Sequence, residues 1–117
     1  MAVLLKVWCL PAEMQEGDFQ SLFQELLSAL KNVSDKIVRN EKDVTILFPT
    51  DRMQWGLGQD IVAEADCLFY SSSVESVDHV RIDLAEKIAH TLKKRFPKAT
   101  VRSFARKPMS WPVVETL

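Results

Sequence analysis

Two amphipathic stripes lie a fixed interval apart, each flanked by strand-like alternation, and this pattern narrows the possible folds of the chain more than any other feature. Phe19, Leu22, Phe23, Leu26, Leu27, Leu30 and Val33 recur at the 3.6-residue spacing of a helix with one apolar face. Val77, Val80, Leu84, Ile88, Leu92 and Phe96 do the same later on. A shift of 58 positions lays Cys9-Leu10 on Cys67-Leu68, Phe19 on Val77, Leu22 on Val80, Leu26 on Leu84 and Leu30 on Ile88. Identity between the halves is slight, so what repeats is an architecture of two βαβ units end to end.

The strands follow from alternation with a period of two. Val3, Leu5, Val7 and Cys9 alternate with Leu4, Lys6, Trp8 and Leu10, and Pro11, which lacks an amide donor, ends the run. Further strands are expected at 43–48, 61–69 and 100–106. Between the second and third lies a bend holding Pro49, Gly56 and Gly58, two of the three glycines in the chain. Asp18 is the expected N-cap of the first helix, and the serines of YSSSVES are suited to capping the second. Lys93, Lys94 and Arg95 complement the dipole at that helix's end, and Pro97 stops it.

Right-handed crossovers place both helices on one face of the sheet. The expected fold class is α+β: two consecutive βαβ units forming a four-stranded mixed sheet with two helices on one face. One domain should span 1–117, with pseudo-repeats at about 2–50 and 60–107 and an extended tail at 108–117. The uncovered sheet face then carries Trp8, Leu4 and Val62, too apolar to stand in water, and calls for a partner, most simply other copies of the chain.

Length and composition set the outer limits. At 117 residues, 47% apolar and 26% charged, the chain has room for one core and falls in the globular range. A net charge of −1 argues against a general nucleic-acid or anionic-membrane binder. Lys6 interrupts the apolar start, with no basic region or cleavage site around it, so a signal peptide is not expected. No run reaches the ~20 apolar residues of a membrane helix. Cys9 and Cys67 have no metal-ligand spacing and read as reduced core residues of a cytoplasmic protein. P-loop, Rossmann, zinc and serine-elbow motifs are absent, and no cofactor or metal is expected.

A strand starting near residue 2, two βαβ units of about 58 residues, a Gly-x-Gly bend after the second strand and a tail with Trp111 together resemble the tautomerase superfamily, the fold of macrophage migration inhibitory factor. The resemblance spans nearly the whole chain and is architectural, with no long shared motif. It implies a homotrimer in which short strands, here 54–58 and roughly 109–114, pair with neighbouring subunits and sites lie between subunits. It also implies an N-terminal proline as general base, whereas this chain has Ala2. Removal of Met1 would leave a primary amine there, with a reference pKa of about 7.7 to 8.0 that must fall by roughly a unit to act at pH 7.

Two functions from different classes follow. In one, the Ala2 amine is the base of an isomerase acting on a 2-oxo or enol carboxylic acid, Lys31 and Arg106 hold the carboxylate, and Trp55, Phe104 and Trp111 wall the pocket. In the other, a non-catalytic trimer keeps the scaffold and binds a small molecule or a protein in the old cleft. Each residue also has a plainer reading: Lys31 as a helix-end charge, Arg106 within the acid-free basic run 93–107, and the aromatic residues as trimer packing. Glu64 and Asp66 share one strand face, either as a carboxylate pair or as partners in ion pairs. His79 and His90 read as surface residues of the second helix. The element order βαββαβ also admits a ferredoxin-like dimeric ligand-binding domain.

Overall fold

The structure, a computed structural model, describes residues 3–33, 41–49, 60–67 and 74–106, and side chains in all of these except 74–78. The elements run β1 (Val3–Trp8), α1 (Glu16–Lys31), a 3-10 turn (Glu41–Asp43), β2 (Val44–Leu47), β3 (Asp60–Cys67), α2 (Val74–Arg95) and β4 (Thr100–Arg106). The strands form one sheet in the order β2-β1-β3-β4. β1 runs parallel to β2, β3 parallel to β4, and the central pair β1 and β3 antiparallel. This is the mixed α+β sheet expected from the sequence. Each helix joins two parallel strands that are immediate neighbours. A ferredoxin-like sheet instead splits its parallel pairs with an intervening strand, so the order excludes that alternative.

One core gathers the inner face of every strand and the apolar stripes of both helices. Val3, Leu5 and Val7 of β1, with Ile61, Ala63, Ala65 and Cys67 of β3, are wholly buried, as are Leu22, Leu26 and Leu30 of α1 and Leu84, Ile88 and Leu92 of α2. Both helices therefore cover the same sheet face, and the even-numbered residues of β1 and β3 face away from them. Burying these stripes drives the packing, at about 1.5–3 kcal/mol per fully buried Leu or Ile.

Local chemistry moved several boundaries. β1 ends at Trp8, because Cys9 takes a left-handed φ of 67°, which breaks the alternation expected to run to Leu10. Asp18 is the third helical residue instead of the N-cap; its Oδ2 accepts a hydrogen bond from the backbone of Gln15, the capping residue, at 2.9 Å. The two helices are clasped by Arg95, whose Nη1 donates to Glu25 Oε1 at 2.8 Å and to Ser21 Oγ at 3.1 Å. That reading of Arg95 as a helix-end charge was incomplete. The glycine bend, the serines before α2 and the C-terminal tail lie outside the described residues.

Candidate functional site

Strand register sets the outer sheet face. Leu4 pairs with Asp66 and Asp66 with Arg106; Lys6 pairs with Glu64 and Glu64 with Phe104; Trp8 pairs with Val62 and Val62 with Arg102. Three strands thus present rows of side chains on the face without helices. β4 contributes Arg102, Phe104 and Arg106 because residues two apart on a strand point the same way.

At the centre of this face lies a polar network. The indole Nε1 of Trp8 donates to Glu64 Oε1 at 2.6 Å. Arg106 donates from Nη2 to Glu64 Oε2 at 3.0 Å and from Nε to Asp66 Oδ1 at 2.7 Å. Its guanidinium also stands 5.6 Å from the centre of the Phe104 ring, a cation–π distance. The hydrogen bond and charge of Asp66 raise the guanidinium pKa above its ordinary value, so Arg106 is permanently charged. Two carboxylates against one guanidinium leave one net negative charge, and Lys6 stands opposite Glu64 on β1.

Lys31 ends α1 in the helix layer, on the other side of the sheet from Arg106. Its Nζ lies 2.8 Å from Glu41 Oε1, and this hydrogen bond, with the charge behind it, pulls the Glu41 carboxyl below its ordinary range. Both proposed carboxylate holders are therefore bound to acids of their own chain. Of the residues singled out in the sequence, Phe104 and Arg106 come together, and Lys31 stands apart from them within one chain. Ala2, Trp55 and Trp111 lie outside the described residues. Ala2 immediately precedes Val3, whose partners in the sheet are Val44 and Cys67.

Glu64 and Asp66 were noticed as a pair in the sequence, but their partners were not. Nothing in local spacing shows that a tryptophan 56 positions earlier reaches Glu64; only the antiparallel pairing of β1 with β3 brings them together. His79 and His90 are exposed on α2, as expected. Among the described residues no cluster of His, Cys, Asp and Glu could hold a metal ion. Cys67 is buried as a free thiol, and that burial pushes it up to about 12. No helix among the described residues is long and apolar enough to cross a membrane.

No protein-family model matches the chain, and no curated protein matches it. Among solved structures, the chain is similar to one described as "F6 fused 4-OT wild type asymmetric trimer", with a TM-score of 0.53 and 19% identity over 90% of this chain and 85% of that one. A second, "R7 fused 4-OT wild type asymmetric trimer", has the same identity and coverage at a TM-score of 0.49. The first likeness shows the fold: the chain has the tautomerase fold, that of a fused 4-oxalocrotonate tautomerase.

Proposed function

We propose that the protein is a tautomerase-like trimer, built from a single domain over residues 1–117, that binds a small carboxylic acid or a protein in its cleft without turning it over. The observation that carries this reading is the state of the two cations: Arg106 is held by Glu64 and Asp66, and Lys31 by Glu41. A substrate carboxylate would have to displace acids already in place. Ala2, where the fold family uses a proline base, supports the same reading. Self-association is supported by the uncovered sheet face, where Leu47 and Phe104 are exposed, and by the trimeric state of the similar solved structure. A cytoplasmic setting belongs to the same reading, with Cys67 kept as a buried free thiol in the core.

The second reading is the isomerase, with the Ala2 amine as base and Lys31, Trp55, Phe104, Arg106 and Trp111 around the substrate. Sites between subunits favour it, because a neighbour could bring Lys31 of one chain towards Arg106 of another. Intact mass first establishes whether Met1 is removed. Processed protein is then tested for ketonising the enol of phenylpyruvate, beside an Ala2→Pro variant that restores a secondary amine. No turnover by either, with tryptophan fluorescence still responding to small carboxylates, is the expected result. Turnover that rises with pH as the amine deprotonates, and that vanishes when Met1 is retained, refutes the non-catalytic reading. Sedimentation giving a monomer at working concentration refutes the oligomer.

A further inference from the structure

Asp43 closes the 3-10 turn that leads into β2 and is 7% exposed, the only polar or charged residue buried among those described. Burying a carboxylate carries a large desolvation cost, so the group acts strongly on a cation beside it. Strand register identifies that cation. β1 and β2 run parallel with Val3 opposite Val44, and the residues one step earlier in the sequence are Ala2 and Asp43. Carrying the register back by that one step sets the two on adjoining strands about 4.8 Å apart, a gap that an aspartate side chain spans.

We propose that Asp43 forms an ion pair with the N-terminal ammonium of the chain that begins at Ala2, so that the group standing in the place of the base is held as a cation. This rests on the non-catalytic reading above and supplies its chemical cause. An opposite charge at hydrogen-bond distance favours the ammonium over the free amine, and only the free amine takes a proton from a ligand. The other charges at this end of the sheet are engaged elsewhere or lie farther off. On β3, Asp66 is held by Arg106, and Cys67, opposite Val3, is buried as a neutral thiol. Arg81 of α2 is close enough to Cys67 to act on that thiol and disfavours a nearby ammonium, but it acts from the β3 side, whereas Asp43 adjoins residue 2 directly. In the turn itself, Glu41 is bound to Lys31 of α1, and Lys42 is exposed. Lys6 lies farther along β1, opposite Leu47 and Glu64. An ammonium has three donors; with one given to Asp43, two are left for a ligand carboxylate, so a group that cannot act as a base still binds a small acid.

The test is a titration of the Ala2 amine in full-length protein shown by intact mass to lack Met1. With isotope-labelled alanine, the Ala2 methyl signal is identified by its loss in Ala2→Gly and followed by NMR as pH is raised. Its midpoint should lie about one unit or more above the reference range of about 7.7–8.0, and Asp43→Asn should lower it by about one unit or more. A purely structural role for Asp43 would leave the midpoint where it is. A midpoint within or below the reference range in the unsubstituted protein overturns the pair, and that measurement stands even where Asp43→Asn fails to fold. An equal midpoint in folded Asp43→Asn overturns it too, as does protein that keeps Met1 in the cell. The enol assay separates this inference from the reading it rests on. A raised midpoint with turnover by the unsubstituted protein supports the pair and overturns the non-catalytic reading, whereas an ordinary midpoint without turnover overturns the pair and supports that reading.

Discussion

Truncating Leu26 and Leu84 to alanine should destabilise the protein by nearly equal amounts. The two residues are equivalents under the shift of 58, and both are 0% exposed, one on α1 and one on α2. Each change removes buried carbon worth about 2 kcal/mol in transfer free energy. The cavity left behind adds to this, for a total of about 3–4 kcal/mol per variant. At about 4 °C per kcal/mol for a chain of this size, the thermal midpoint should drop by roughly 12–16 °C. Urea unfolding gives the free energies, read at one protomer concentration because association contributes to apparent stability. A neighbouring pair supplies the contrast. Leu22 is fully buried, while its equivalent Val80 is only half-buried at the rim of the core, so Val80→Ala should cost about 1 kcal/mol and Leu22→Ala about 3 kcal/mol. If Leu84→Ala costs under about 1 kcal/mol while Leu26→Ala costs the full amount, the two helices do not share the core equally and the repeat argument fails.

Trp8→Phe should cost on the order of 1–3 kcal/mol in urea unfolding, since it removes the indole donor from the Glu64 carboxylate; an unchanged midpoint would mean that this bond is replaced by water at no cost. The Glu41 carboxyl should titrate below its ordinary 4.5 by NMR and return to it in Lys31→Ala. The sign of its linkage follows: a depressed folded pKa contributes stability above the unfolded value, lost as pH falls through the folded one. Cys67, pushed up to about 12 from 9.0, should resist alkylation at pH 8 in the folded protein and react on unfolding. Its linkage runs the other way: the contribution is full below 9.0 and declines as pH rises, because the unfolded thiol ionises first.

The amino-acid sequence by itself determined the elements and their order, because alternation and 3.6-residue spacing are local properties of a chain that must bury one face. Leu26 and Leu84 could be assigned to a core, and to equivalent places in it, before any coordinate was known. Boundaries were less legible, since capping and left-handed turns depend on single backbone angles: Cys9 left the strand early, and Asp18 proved to be the third helical residue. Strand order belonged to the tertiary structure alone. Placing β1 beside β3 brought Trp8 to Glu64, and placing β4 beside β3 brought Arg106 to Glu64 and Asp66. From the sequence Arg106 read either as a cation for a ligand or as part of a basic run at a strand edge; in the sheet it is paired with Glu64 and Asp66. Periodicity reports which face a residue occupies, whereas charge pairing is decided by residues tens of positions apart that only the assembled sheet makes neighbours.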